Sequence, residues 1–391
     1  MKTMVNITPQ QSMNRYAEMI RPVWAEIDRA AIRHNMGEIK RFVGPEVAVM
    51  AVVKAEGYGH GALAVAREAL GSGAAWLGVS LPEEGIALRR AGITAPILVF
   101  APLQTEFAAQ VLENDLTTTL CIPEAAVRLA EAARQTGRIP RAHLKVDTGM
   151  GRVGVRPEEA VAFLERVKDC GIAVTGVYSH LATADETDKS YALQQVKTFA
   201  TVVAALKNAN LAPECIHLAN SAAIIDLPEA HFNMVRPGII LYGLYPSAEV
   251  RRERLRLQNA LSLKSRVVFV KRVPAGTGIS YGQRYHTGRE TTVATVPIGY
   301  ADGWTRLLSH KAQALIHGKK FPVVGTICMD QCMIDVGDEP VALGDEVVLI
   351  GRQGEAEISA DDVARQLGTI NYEITCMLSE RVPRIYIDGE K

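Results

Sequence analysis

Eight short apolar, β-branched runs alternate with stretches of helical spacing through the first two thirds of the chain. They cover residues 47–53, 76–80, 96–100, 117–121, 142–147, 173–179, 215–219, and Met234 with 239–242. Eight strands, each followed by a helix, is the count for a parallel β/α barrel. The unbroken apolarity of 47–53 is what a strand buried on both faces needs. A doubly wound open sheet uses the same elements, so the count alone leaves both open. Between the runs, Asp28 is placed to cap a helix whose Ile32, Met36, Ile39 and Phe42 share one face. Pro123-Glu124 starts an alanine-rich helix that Gly137 ends, and 194–205 reads as another amphipathic helix.

After about Leu255 the pattern changes to short strands broken by Gly, Pro and Asp, at 262–273, 291–298, 313–316, 321–326, 331–336 and 346–350. His317-Gly318-Lys319 is one of the turns, and short helices are expected at 359–367 and 371–379. The fold class expected is therefore α/β: a (β/α)8 TIM-type barrel followed by a C-terminal, mainly antiparallel β domain.

Lys+Arg and Asp+Glu are both 43, so no whole-chain charge favours nucleic acid or an anionic membrane. The six cysteines are scattered, and Cys328 and Cys332 lack the second Cys or His pair of a zinc set, so no metal is expected and the thiols are read as reduced. The first twenty residues have no continuous apolar core of signal-peptide length, no apolar run anywhere is long enough to span a bilayer, and the expectation is a soluble, cytoplasmic protein.

Barrels place their chemistry at the C-terminal ends of strands. The first strand ends in Lys54, followed by Ala-Glu-Gly-Tyr58-Gly-His60-Gly61. An ammonium after seven apolar residues is poorly solvated, which suits a lysine to Schiff-base chemistry; a lysine snorkelling to solvent is the plainer reading. Gly57, Gly59 and Gly61 allow close approach to a ligand. In the fifth strand His143, Lys145 and Asp147 alternate, and a salt bridge to Asp147 is the simple role for Lys145. Arg152 follows in a glycine-flanked loop, where a guanidinium can grip a carboxylate or phenolate. Strand six ends at Ser179-His180. Strand seven leads into Asn220-Ser221, with Ser221 expected as a helix N-cap, and strand eight gives Arg236-Pro237-Gly238. Loops seven and eight of barrels often hold phosphate.

A strand-end lysine, a phosphate cradle and an arginine between them point to a phosphorylated cofactor bearing an aldehyde, and pyridoxal 5′-phosphate fits. With Arg236 against its ring nitrogen, only a hydrogen bond can be donated there. The ring is then a weak electron sink, and rapid reprotonation at Cα is favoured over transamination.

At AVVKAEGYGHG, HLKVDTGMGRVG, SHLATAD, ANSAA, VRPGIILYG, GISYGQ, PIGYADG and CMDQCMIDV the chain resembles the alanine racemase family, from about Trp24 to Pro383. The resemblance implies a 1–19 extension, a barrel over 29–255 that binds pyridoxal 5′-phosphate, and a β domain over 256–391 joined by strand 20–28. It also implies a homodimer whose active sites are shared between subunits. Lys54 and Tyr281 match the two bases, acting on D- and L-alanine respectively, with Tyr281 supplied by the partner. A phenol is a reluctant base at neutral pH, so such a site must favour the phenolate.

By the same resemblance Tyr58, Ser221, Tyr372 and the amides of Gly238 and Ile239 hold the phosphate. His180 supports Arg236, Asn220 shapes the pocket, and Arg152 contacts cofactor and substrate. The Met329 amide binds the substrate carboxylate, and Tyr300 and Tyr372 narrow the entrance. Lys145 matches a position carbamylated in some members, which rivals the Asp147 salt bridge. The implied role is supplying D-alanine for peptidoglycan. Racemases of serine or lysine, a non-catalytic cofactor carrier and a decarboxylase on the same plan are the alternatives. The β domain bearing Tyr281 and Met329 argues against the carrier, and Arg236 against the decarboxylase.

Overall fold

A computed structural model describes residues 20–389; the expected 1–19 extension lies outside them. The described chain forms two compact units, one of Ile32–Gln258 and the other of the residues up to Ala31 together with those from Asn259. It opens with strand β1 (Val23–Asp28), which leads into the helix Arg29–Val43. Asp28 Oδ1 accepts the N–H groups of Ala30 at 2.8 Å and Ala31 at 3.3 Å, so the expected cap is formed.

In the Ile32–Gln258 unit the apolar runs become β2 (Ala48–Val52), β3 (Trp76–Val79), β4 (Ile97–Pro102), β5 (Thr117–Leu120), β6 (Arg141–Lys145), β7 (Ala173–Tyr178), β8 (Cys215–His217) and β9 (Met234–Val235). Each pairs in parallel with the next, and β9 returns to β2 through Ala48↔Met234 and Val49↔Val235, closing a barrel. The open-sheet alternative is excluded by that closure. Met50, Leu98, Tyr178 and Met234 form a buried cluster in this unit. The last run differs from expectation. Ile239–Tyr242 is a 3-10 turn, because Pro237 has no N–H to give a ladder and Gly238, at φ −106° and ψ −99°, turns the chain away.

The other unit is built on a ten-stranded sheet. Its strands are β10 (Leu261–Arg266), β11 (Phe269–Val273), β14 (Thr291–Val296), β15 (Gln313–Ile316), β16 (Lys319–Val324), β17 (Cys332–Gly337), β18 (Glu346–Gln353), β19 (Ala356–Ile358) and β20 (Arg384–Ile387), with β1. The order is β11-β14-β17-β16-β15-β18-β10-β1-β20, with β19 paired to β18. β1 runs antiparallel to β10 and parallel to β20. A separate hairpin, β12 (Gly278–Ile279) with β13 (Tyr285–His286), stands apart from this sheet. The helices Ala360–Leu367 and Asn371–Cys376 fall where helical spacing placed them. No helix of the described residues is long and apolar enough to cross a membrane.

Packing inside the barrel leaves no room beside β7. A Cβ built on Gly176 would lie 2.5 Å from Cγ of the buried His143 ring on β6. Gly176→Ala should therefore destabilise the protein by about 1–3 kcal/mol, read as a lower urea midpoint. An unchanged midpoint would contradict this packing.

Candidate active site at the barrel strand ends

Lys54 follows the last residues of β2 and begins a backbone excursion of the wrong hand. Ala55, Glu56, Gly57, Tyr58 and Gly59 have φ of 51°, 53°, 60°, 52° and 83°. Left-handed conformation costs an L-residue roughly 1–2 kcal/mol, so this turn stands only because its surroundings hold it. Glu84 braces its start: Oε1 accepts the Ala55 N–H at 2.6 Å, while Oε2 accepts Ser80 N–H at 2.7 Å and Leu81 N–H at 3.0 Å. Gly59 N–H closes the turn onto the Ala55 carbonyl at 3.0 Å.

The turn carries the buried Tyr58 ring over Gly238. A Cβ at Gly238 would sit 2.6 Å from Tyr58 Oη and 3.7 Å from Ser221 Oγ, so glycine is needed for that approach. Ser221 Oγ accepts the Gly238 N–H at 2.9 Å, which leaves the hydroxyl proton for another acceptor. Ser221 is not the N-cap expected from the sequence. Asn220, in extended conformation, takes that place, its Oδ1 accepting Ala223 N–H at 3.0 Å, and Ser221 is the first helical residue. Ile239 is fully buried next to Gly238.

Deeper in the barrel lies a cluster of buried bases. Arg236 donates to His217 Nδ1 at 2.9 Å, to the Ser179 and Leu218 carbonyls at 2.8 and 3.0 Å, and to His180 Nδ1 at 3.4 Å. Guanidinium can only donate, so His217 carries its proton on Nε2 and donates it to His143 Nδ1, 2.9 Å away. Tyr178 stacks on His217 with ring centroids 4.8 Å apart, and its hydroxyl meets Thr119 Oγ1 at 2.5 Å. Burial, with Arg236 close by, pushes His143 down to about 3 and holds His217 and His180 well below the usual histidine range. All three rings are neutral at pH 7. Burial lowers Arg236 to about 10, which still leaves it charged.

Lys145 is the second buried cation, 5% exposed. Its Nζ donates to the Val146 carbonyl at 2.9 Å and lies 5.3 Å from the Tyr178 ring centre. Burial first, then the nearby Arg236, lowers it to about 7. The salt bridge to Asp147 expected as the simple reading is not formed. Asp147 Oδ1 instead accepts the N–H groups of Gly149, Met150 and Gly151 at 3.0, 2.8 and 3.1 Å. Burial raises that carboxyl, but these three donors outweigh it and the net direction is down. The same loop presents Arg152, exposed at the C-terminal end of the barrel strands. Among the described residues, neither Arg236 nor Lys145 has a carboxylate within ion-pair distance.

The remaining candidates belong to the other unit. Tyr281 sits on the turn between β12 and β13 and is 70% exposed; Tyr300 and Met329 are also exposed, and Tyr372 is half-buried on the helix Asn371–Cys376. Tyr300 and Met329 share one framework. Tyr300 N–H donates to the Cys328 carbonyl and Ala301 N–H to the Met329 carbonyl, each at 3.1 Å. Below them the fully buried Asp302 takes both arms of Arg21, at 2.9 and 2.8 Å.

Lys54, Tyr58, Lys145, Arg152, His180, Asn220, Ser221, Arg236, Gly238 and Ile239 thus gather at or just beyond the strand ends of the barrel unit. The arrangement offers an amine, a cradle of hydroxyls around a glycine, and buried positive charge that calls for an anion. An aldehyde-bearing aromatic phosphate fits that donor set. Sequence reading missed His217, Tyr178 and Thr119, although polar residues inside continuous apolar strands were a visible signal.

Comparison with known proteins gives a coherent result. A model of the alanine racemase N-terminal domain matches residues 27–246, and one of the alanine racemase C-terminal domain matches 260–386. An alanine racemase of Desulfovibrio desulfuricans is 49% identical over 370 residues, covering 94% of this chain and 99% of that protein. The solved alanine racemase of Clostridium difficile 630 superposes with a TM-score of 0.91 at 42% identity, covering 94% of this chain and 96% of that one. A histidine racemase of Leuconostoc mesenteroides subsp. sake superposes with a TM-score of 0.87 at 30% identity, covering 94% and 98%.

The depressed Lys145 has a stability signature. The folded state holds its proton less tightly than the unfolded chain, whose lysine titrates near 10.5. Its unfavourable contribution is complete below pH 7 and is relieved as pH rises toward 10.5. In carbon-dioxide-free buffer, wild type should gain on the order of 2 kcal/mol relative to Lys145→Met between pH 7 and 9 by urea unfolding. Parallel pH profiles for the two proteins would contradict the buried amine.

Proposed function

This chain belongs to the alanine racemase family, and from that premise we propose that it interconverts L- and D-alanine with bound pyridoxal 5′-phosphate. The observation that carries this reading is the buried pair Arg236 and Lys145, neither with a carboxylate within ion-pair distance among the described residues, beside a strand-end lysine and a hydroxyl cradle. When bound, the cofactor supplies an aldehyde for covalent attachment and a ring that withdraws electrons from the substrate α-carbon.

The chain's own residues divide the rest of the work. Lys54 attaches the cofactor and exchanges the α-proton of D-alanine. Tyr281, supplied by the second subunit of a homodimer, exchanges that of L-alanine on the opposite face. Tyr58, Ser221, Tyr372 and the Gly238 and Ile239 amides hold the phosphate, with Asn220 shaping the pocket wall. Arg236, oriented by His217 and His180, donates to the ring nitrogen. It cannot surrender its proton there, so prompt return of the proton to Cα is favoured over transamination. Arg152 and the Met329 amide hold the substrate carboxylate, and Tyr300 with Tyr372 limits side-chain size.

Lys145, lowered to about 7, has a neutral amine fraction at physiological pH that can add carbon dioxide, forming a carbamate and releasing a proton. The resulting anion would answer the charge of Arg236 and orient Arg152. A bare amine at Lys145 in an electron-density map would reject this step. The domains proposed for this work are 29–255 for the cofactor and 256–391, with strand 20–28, for the second base. The product would be D-alanine for peptidoglycan, made in the cytoplasm. The likeness to a histidine racemase favours a second reading, a broader substrate range on the same catalytic pair.

Circular dichroism of L-alanine, D-alanine, L-serine and L-lysine incubated with the enzyme separates the two: alanine alone should lose optical purity. Lys54→Ala should lose the visible absorbance of lysine-bound cofactor together with turnover, whereas a retained band would refute the role of Lys54. Tyr281→Ala should keep that absorbance and lose turnover by on the order of 10²- to 10⁴-fold. Near-normal racemisation by this variant would remove Tyr281 from the mechanism.

A further inference from the structure

We propose that Thr326 is a positioning residue for Tyr281: its hydroxyl fixes the turn from which the phenol works on L-alanine, an inference that rests on the two-base reading above. Within its own subunit Tyr281 is 70% exposed, so what this chain does to place the phenol it does through the backbone beneath. That backbone begins from a firm base. Ile279 of β12 packs with Val273, Val293 and Val324 in a buried cluster. Beyond Ile279 the chain leaves the cluster, and Ser280 adopts φ +66°, a left-handed conformation that a serine holds only when tied.

The ties come from one neighbouring segment. Ser280 Oγ donates to the Thr326 carbonyl at 2.6 Å, and Thr326 Oγ1 donates back to the Tyr281 carbonyl at 2.9 Å. The two bonds are reciprocal and clamp the residues on either side of the Ser280–Tyr281 peptide. Thr326 is 3% exposed, and its β-branched side chain has few rotamers, so its hydroxyl is a fixed point. Gly325, at φ +70°, makes the close approach: a Cβ there would lie 2.7 Å from the Ile279 carbonyl oxygen and 2.9 Å from Ser280 Cβ. The segment is anchored on its far side by Ile327 N–H to Ser309 Oγ at 3.0 Å. It runs directly into Met329, so one rigid strip sets both the base and the amide proposed to hold the substrate carboxylate.

Thr326→Val keeps the shape and removes only the donor, so it tests the hydroxyl without opening a cavity. Its turnover should fall about 5- to 10-fold in both directions, the loss of one neutral hydrogen bond. The distinguishing readout is the isotope effect of α-deuterated substrates. A loosened Tyr281 slows proton removal from L-alanine, so the effect on deuterated L-alanine rises. The effect on deuterated D-alanine, whose proton goes to Lys54, falls toward unity. Thr326→Ser should restore most of the turnover and both isotope effects. If Thr326→Val does not fold, Ser280→Ala removes the reciprocal bond and should give the same pair of changes. Unchanged isotope effects in the folded variant, or a Thr326→Ser variant as impaired as Thr326→Val, would overturn the proposal. Tyr281→Phe assayed alongside separates the two layers. If it still exchanges the L-alanine proton, the two-base reading fails. If it does not, and Thr326→Val behaves as wild type, only the positioning role fails.

Discussion

Two basic side chains buried inside the barrel, Arg236 and Lys145, face each other's field, and among the described residues neither has a carboxylate within ion-pair distance. Burying charge without a partner is expensive, and a protein keeps such an arrangement where a ligand or a modification completes it. The surrounding histidines cannot help, because burial and Arg236 keep them neutral. What they do is fix orientation. The one-way donation from Arg236 to His217 to His143 sets each tautomer in turn and holds the guanidinium in place. The partners proposed above, a ring nitrogen that accepts from Arg236 and a carbamate on Lys145, are the complement such a site requires.

Positional accuracy at the reactive groups is obtained from strained backbone. After Lys54 the chain runs through five left-handed residues, braced at Ala55 by Glu84 Oε1, while the other oxygen of that carboxylate is held by Ser80 and Leu81 N–H. Before Tyr281 a single left-handed serine is held by Thr326. In both places a neighbouring polar side chain offsets the strain. Each proposed base leaves a segment whose direction is over-determined, which is the condition for transferring a proton at a fixed distance.

Much of this could be read from the residues, and for identifiable reasons. Continuous apolar runs such as 47–53 mark strands buried on both faces, and the structure closes them into a barrel. The run 239–242 misled because apolarity does not distinguish a buried strand from a buried turn, and Pro237-Gly238 was the decisive breaker. Ser221 looked like a cap because serine commonly caps, but the preceding Asn220 competes for the same N–H and wins by its extended backbone. The Lys145–Asp147 pair followed from strand alternation, yet Asp147 already lies in the loop, where three backbone amides capture it. His217 was visible as a polar residue in an apolar strand, but its role, like that of Thr326, depends on partners 19 and 45 positions away that only the folded chain brings together.

A crystal structure of the purified enzyme, at a resolution that defines side chains, tests the central claim most directly. Density should run from Lys54 Nζ into a flat aromatic phosphate seated against Tyr58, Ser221 and Arg236. The Tyr281 hydroxyl of a second copy should approach the opposite side of that ring. A map with no group joined to Lys54, or with amine and phenol on one side of the ring, would contradict the account.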